Sequence, residues 1–329
     1  METAEDRLIA RFFRPLASHP GALSLTDDTA IFTPPEGYDL ILTTDAVIAG
    51  VHVLPDETPD AIARKALRVN LSDLAAKGAT PSGFLLSLAL PRETGEDWLT
   101  AFCTGLKADS ESFACPLIGG DTDRTSGPLM VTIFALGILP RGTMVKRSGA
   151  QPDDHVLVSG SIGDAALGLM LRRDPALAAH WTLNDSERDH LLGRYRLPQP
   201  RTALADALRA HASAAIDVSD GFVGDLAKLL RVSGMSAEVE LARVPLSSAA
   251  RKALAADGSL RETIFGGGDD YEIVCTVADS KLDAIRAAAQ QAGIEVAVVG
   301  RAREGRDEPR FLDDNGSPLT FARRSFSHF

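Results

Sequence analysis

Cysteine is scarce in this sequence: Cys103, Cys115 and Cys275 are the three thiols among 329 residues. Their spacing matches no metal-ligand pattern and their number is odd, so a reduced, cytoplasmic protein is expected rather than a disulfide-stapled one. Long apolar runs are missing as well. No stretch approaches the ~20 residues needed to cross a bilayer, and the opening METAEDRLIARFF has no cleavable apolar segment. No membrane attachment is expected. Basic residues are outnumbered, 34 Lys and Arg against 45 Asp and Glu, for a net charge of −11. That balance argues against nucleic acid as the main partner, because phosphate backbones are held by clustered Lys and Arg. A small phosphorylated ligand remains possible if cations bridge it to the acids. Also absent are a G-x-x-x-x-G-K-[ST] loop, a protein-kinase catalytic loop, EF-hand spacing, and a Ser-His-Asp or Cys-His nucleophile set.

What is present is a globular composition, 45% hydrophobic and 24% charged, in a chain longer than one core usually organises. Two domains are expected. A helix should run from Glu5 to Leu16, followed by strand candidates AIFTP and DLILTTDAVI, separated by Pro34, Pro35 and Gly37. From Asp60 the apolar period becomes helical, with Leu67, Leu71, Leu74 and Ala75 in step and Gly78 as the stop. GFLLSLALP and LMVTIFALGIL read as strands around the helix EDWLTAFCTGLKADSESF. Between Pro140 and Asp154 the composition turns to Arg, Gly, Ser, Gln and Pro, which places a boundary at 148/149. Beyond it HVLVSG, YEIVCTV and EVAVVG read as strands, and DAALGLMLRR, RTALADALRAH and KLDAIRAAAQQAG as helices. The alternation predicts an α/β (α+β layered) architecture in both halves.

Closely spaced acids recur in six stretches: LTDDTA, LTTDAV, NLSDLAAKG, IGGDTDR, IDVSDG and GGGDDYE. Any one of them is more simply a turn or a helix cap. Six together ask for a neutraliser, since two carboxylates ~4 Å apart repel by ~4 kcal/mol at an effective dielectric near 20. No basic residue lies among the acids of IDVSDG. Divalent cations fill that need, and Asp, Thr and Ser oxygens suit Mg²⁺ or Mn²⁺. Several such ions point to a nucleoside triphosphate. SGSIGDAALG is either a phosphate-binding turn at a helix start or simply a strand-to-helix turn. His52 is the histidine nearest an acidic cluster, and Lys146 with Arg147 forms a basic pair in a glycine-flanked loop.

Taken in order, DDTA, TTDAVIAGVH, KALRVNLSDLAAKGA, IGGDT, RSGA, IDVSDGF and GGGDDYE resemble the thiamine-monophosphate kinase family. That family belongs to the superfamily of aminoimidazole-ribonucleotide synthetase and selenophosphate synthetase. The resemblance spans about Leu8 to the final SHF. It implies a two-domain fold, with an N-terminal sheet that forms a barrel across a homodimer and a C-terminal α/β domain that completes the active site. The N-terminal domain, 1–148, would bind ATP and Mg²⁺ and dimerise; 149–329 would be the second domain. The implied reaction is transfer of the ATP γ-phosphoryl group to thiamine monophosphate. Several Mg²⁺ ions would be held by Asp28, Thr43, Thr44, Asp45, Asp73, Asp121, Asp217 and Asp220. Gly120, Asp121, Arg147 and Ser219 would contact ATP, with Asp121, Asp220 and Arg147 carrying the catalysis. His52 and Asp269 would meet thiamine monophosphate, Asp269 standing where the family commonly has Glu. Arg323 takes the place of a family aromatic near the C-terminus, with Phe326 as its possible substitute. Two other readings stay open: another ATP-dependent synthetase of the superfamily, and a non-catalytic sensor of ATP or thiamine phosphates. The first cysteine is Cys103, which counts against a selenophosphate-forming member.

Overall fold

The structure, a computed structural model, describes residues 3–326. The final Ser327, His328 and Phe329, the end of the resemblance, lie outside the described residues. The chain divides into two compact units: Met1–Leu74 with Ala79–Thr143, and Ala75–Gly78 with Met144–Phe329.

The first unit opens on one helical run whose winding changes twice. It is α-helical over α1 (Ala4–Leu8), π over Ile9–Phe13 and 3-10 over Arg14–Leu16. Strand β1 (Tyr38–Ile48) follows, then helix α2 (Pro59–Ala76), β2 (Thr80–Pro91), α3 (Glu96–Ser112), β3 (Leu117–Thr125) and β4 (Met130–Pro140). The sheet order is β1-β4-β2-β3, antiparallel except for the β2–β3 pair. Its two faces differ because side chains alternate along each strand. On one face Leu86, Leu88, Val131, Ile133 and Ala135 are buried. Helix α2 lies on that side, where the Leu74 side chain comes so close to Gly137 that a Cβ there would be 3.0 Å away. Helices α2 and α3 approach until Gly105 has room for hydrogen alone: a Cβ would sit 2.7 Å from Asp60 Cα. The buried Asp109 carboxylate joins them, accepting from Arg68 Nε at 2.5 Å and Arg64 Nε at 3.1 Å.

The expected strand AIFTP is not one. Residues 30–34 are irregular, with a backbone bond from Ile31 N–H to Gly21 O of 2.8 Å. Pro34 and Pro35 deny this segment the amide donors that a ladder needs.

The second unit adds β5 (His155–Ser159), α4 (Asp164–Arg173), α5 (Leu177–His180), α6 (Asp185–Arg196), α7 (Ala205–His211), β6 (Ala212–Asp217) and α8 (Phe222–Ser233). Then come β7 (Met235–Glu240), α9 (Ser248–Ala256), α10 (Arg261–Gly266), β8 (Ile273–Val277), α11 (Leu282–Gln291), β9 (Val296–Glu304), β10 (Arg310–Leu312) and β11 (Pro318–Leu319). A seven-stranded sheet of order β11-β10-β7-β9-β5-β8-β6 carries them. Strand β5 is buried at all five positions, which explains its unbroken apolar reading. One core gathers Val156, Val158, Leu167, Trp181, Phe222 and Leu226; a second gathers Leu157, Leu208, Cys275, Ile285 and Ala289.

Candidate functional site

Each unit collects part of the expected site. In the first, register places Thr44 opposite Phe134 on β4, itself opposite Leu85 on β2, while Ser87 pairs with Asp121 on β3. These residues border a cavity of about 730 Å³ together with Asp27, Asp28, Gly119 and Gly120. Its polar side chains are carboxylates and hydroxyls, and its apolar wall includes Ile9, Phe13, Leu25 and Ile118. Gly120 permits the β2–β3 pairing beneath it, because a Cβ there would fall 2.0 Å from Leu86 O. Asp121 is exposed and accepts the Thr122 amide at 2.9 Å.

Strand alternation sends Thr43 and Asp45 to the other side of the sheet from Thr44. Thr43 Oγ1 donates to Asp73 Oδ2 at 2.5 Å, and the Asp45 amide donates to the buried Asn70 Oδ1 at 2.9 Å. The six expected metal ligands of this unit are therefore not one cluster: Asp28, Thr44 and Asp121 face the cavity, whereas Thr43, Asp45 and Asp73 meet at the β1–α2 contact. His52 lies in the turn that follows β1. Its Nδ1 accepts the Ile48 amide at 3.1 Å, which leaves the proton on Nε2 as a donor. The buried Lys65 ammonium donates to His52 O at 3.2 Å and braces this loop.

In the second unit two acidic stretches are bonded to each other. Val218 N–H donates to Glu272 O, Tyr271 N–H to Val218 O and Asp269 N–H to Ser219 O, each at 2.8 Å. The C-terminal tail joins through Phe326 N–H to Asp220 O at 2.8 Å. Glycines make this possible: a Cβ on Gly268 would fall 2.3 Å from Ser219 O, and one on Gly266 would fall 2.5 Å from Arg323 O. Asp217, Ser219, Asp220, Asp269, Arg323 and Phe326 thus belong to one constellation. Asp269 holds a left-handed φ of 74°, unusual without glycine, which the flanking bonds enforce. The Arg323 guanidinium lies 5.6 Å from the Phe326 ring centre, so the two candidates for a substrate ring lie against each other. Arg147 is exposed in the loop after β4, its backbone oxygen held by Ser233 Oγ at 3.1 Å.

GGGDDYE divides by burial. Asp269 is half-buried, but Asp270 and Glu272 are fully buried and structural. Asp270 accepts the Gly163 and Ala165 amides at 2.7 and 3.2 Å, capping α4 from across the fold. Burial drives its pKa well above the usual carboxylate value, against the pull of the Gly163 amide. The SGSIGDAALG turn is thereby resolved: the amides at the start of α4 are already bound to a carboxylate. Glu272 sits between two guanidiniums, at 2.8 Å from Arg194 Nη2 and 2.6 Å from Arg201 Nε, and accepts Ser159 Oγ at 2.6 Å.

Asp164, at the same helix start, is fully buried. Burial opposes its charge, yet His190 at 2.8 Å and Ser161 and Ser247 at 2.5 Å outweigh it and lower its pKa. A depressed folded pKa adds stability above the unfolded value of about 3.9, and that stability is lost as pH falls through the folded value. Asp164→Asn should therefore cost about 1–3 kcal/mol near neutrality. Urea melts should find the gap to wild type closing as pH drops through the carboxylate range; a gap independent of pH would refute this account.

The acids of IDVSDG do have a basic partner, eight residues downstream: Lys228 Nζ lies 2.5 Å from Asp220 Oδ2. Among the described residues, neither unit alone gathers three or more His, Cys, Asp or Glu in a group that could hold a metal ion. Fewer carboxylates suffice for Mg²⁺, which takes one or two and completes its shell with substrate phosphates and water. The hard oxygens of Thr44, Asp28 and Asp121, without sulfur beside them, fit that ion. No helix among the described residues is long and apolar enough to cross a membrane.

Comparison with known proteins gives a consistent result. The family model for the AIR synthase related protein N-terminal domain matches residues 26–139, and that for the C-terminal domain matches 151–312. The thiamine-monophosphate kinase of Caulobacter vibrioides is 42% identical over 97% of this chain and 89% of its own length. That of Salmonella typhimurium is 38% identical over 100% of this chain and 99% of its own. The crystal structure of thiamine-monophosphate kinase from Stenotrophomonas maltophilia K279a is 37% identical, with a TM-score of 0.83 over 95% of this chain and 96% of that one. A structure of AaThiL complexed with AMPPCP and TMP is 28% identical, with a TM-score of 0.77 over 92% and 91%.

Proposed function

The chain belongs to the AIR synthase related family, with thiamine-monophosphate kinases as relatives along its whole length, and on that premise we propose how it works. It is an ATP-dependent kinase that phosphorylates thiamine monophosphate to thiamine diphosphate, a phosphate group being the acceptor. The observation that carries the reading in this chain is the bonded constellation of 217–220, 269 and 323–326, which places acids and a stacked Arg323–Phe326 pair together. That constellation also favours a kinase over a mere sensor, since acids serve transfer between two anions more than recognition of either.

Phosphoryl transfer requires positioning and neutralised charge more than covalent help. A phosphate monoester has a second pKa of about 6, so the attacking oxygen of thiamine monophosphate is already ionised at neutral pH. No general base is needed. Asp121, Asp220 and Arg147 carry the transfer: the two carboxylates fix cations, and the guanidinium, with Ser219 and the Gly120 backbone, orients ATP. Asp28, Thr43, Thr44, Asp45, Asp73, Asp121, Asp217 and Asp220 would hold several Mg²⁺ ions between them, and these would supply the neutralisation that lets two polyanions approach. His52 offers its Nε2–H to the thiamine phosphate, Asp269 reaches the same substrate, and Arg323 or Phe326 covers the thiamine ring. Residues 1–148 form the ATP- and Mg²⁺-binding domain, and 149–329 the domain that completes the site. The protein works in the cytoplasm.

The test is an acceptor screen with γ-labelled ATP. Label should pass to thiamine monophosphate and not to free thiamine. ATP left intact would favour a sensor, and label passing to another acceptor would favour a different synthetase.

The first unit's open sheet face supports a homodimer with a barrel across it. Leu42 is 52% exposed and Phe134 and Met130 are each 37% exposed on that face, an apolar patch of the kind that marks an interaction surface. Leu42→Asp with Phe134→Asp should give a monomer in sedimentation equilibrium while wild type sediments as a dimer. A dimeric double variant would place the interface elsewhere.

A further inference from the structure

Lys228 supplies the positive charge that IDVSDG lacks in sequence, and it does so unequally. On α8 its Nζ lies 2.5 Å from Asp220 Oδ2 and 2.8 Å from Asp225 Oδ1. Asp225 is committed elsewhere: its side chain is 1% exposed, and its Oδ2 accepts the Asp220 and Gly221 amides at 2.9 and 3.1 Å. Asp220 is open, with its side chain 37% exposed. Asp225 therefore shapes the loop backbone, and Lys228 joins that rigid carboxylate to the accessible one.

We infer that Lys228 is a positioning residue that fixes Asp220 and, by keeping a permanent positive charge on that carboxylate, weakens its hold on a divalent ion, so that the ion is taken up with nucleotide rather than alone. The inference rests on Asp220 being a metal ligand, as proposed above. Charge counting gives the direction. Asp220 and Asp225 alone present two negative charges; Lys228 halves that. At these separations an ammonium competes directly with an incoming cation, although exposure to water moderates the effect. A lysine ammonium in contact with two carboxylates stays charged across the neutral range. ATP brings phosphate oxygens of its own, which offset the attraction that Lys228 removes.

The experiment measures Mn²⁺ binding to the full-length, nucleotide-free protein by electron paramagnetic resonance. Lys228→Met should bind Mn²⁺ about five- to tenfold more tightly than wild type. Lys228→Arg, which keeps the charge, should match wild type, and ATP should narrow the difference between Met and Lys. A merely structural lysine would move none of these affinities upward. Should Lys228→Met not fold, because Asp225 is left buried beside no cation, Asp225→Asn with Lys228→Met removes that charge too. Against Asp225→Asn alone, which keeps the ammonium on the Asp220 oxygen, the double variant should still bind more tightly, since the two differ only in that charge. Unchanged or weaker binding in the folded variant overturns the inference. Asp220→Asn separates the two levels: if it loses Mn²⁺ while Lys228→Met shows no gain, this inference alone fails. If Asp220→Asn binds as wild type does, the ligand assignment fails with it.

Discussion

Replacing Asp220 by Asn is expected to lower kcat by about 10²–10³-fold, the scale seen when one preorganised electrostatic contact is removed from a reacting site. The fold should survive. Asp220 is the exposed member of its pair, and its backbone bonds, from Phe326 N–H and to Asp225 Oδ2, do not involve its carboxylate. Asp121→Asn should behave alike, because Asp121 is exposed and its carboxylate accepts the neighbouring Thr122 amide. The measurements are steady-state rates at saturating Mg²⁺ and a thermal melt on the same samples. A wild-type rate in either variant would remove that residue from the ligand set. A lost rate accompanied by a collapsed melting temperature would instead mark a structural carboxylate.

Glu272→Gln should have the opposite profile, with its largest effect on stability. Glu272 is fully buried, while Arg194 and Arg201 are mostly so, and together they bring two positive charges to one negative. Removing the carboxylate leaves both guanidiniums in a low-dielectric interior, a loss of about 3–5 kcal/mol by analogy with broken buried pairs. For a unit of this size that corresponds to a fall in Tm of roughly 10 °C. Activity should decline as well, since Glu272 O holds the Val218 amide and so the loop bearing Ser219 and Asp220. A melting temperature within a degree or two of wild type would mean that the arginines find other acceptors, and that the cluster does not anchor this loop.

These two acids show where sequence reading succeeds and where it stops. Both lie in conspicuous acidic stretches, and composition could not separate them. Asp220 and Asp269 were legible as site candidates because small residues and glycine at the end of an apolar strand put polar groups at an exposed edge. Asp270 and Glu272 are acids of the same kind, one and three residues after Asp269, yet serve as a helix cap and an ion-pair centre. Lys228 escaped the reading because its distance of eight residues becomes two turns of helix, which returns its ammonium to the loop. Strand β3 was visible only as a polar cluster: IGGDTDR lacks the apolar alternation of a strand, and pairing with β2 is what extends it.

Local pattern by itself indicated the opening helical run, α2, α3, α4, α7 and α11, and strands β1, β2, β4, β5, β8 and β9, because side-chain period and turn residues act over neighbouring positions. The order of motifs likewise pointed to the family. Only the tertiary structure decided which acids are buried and already paired, which face of β1 each ligand candidate takes, and that an arginine and a phenylalanine near the C-terminus lie against each other. Those outcomes depend on residues that are distant in sequence meeting in a medium of low dielectric. There the cost of an unpaired charge, rather than local preference, selects the partners.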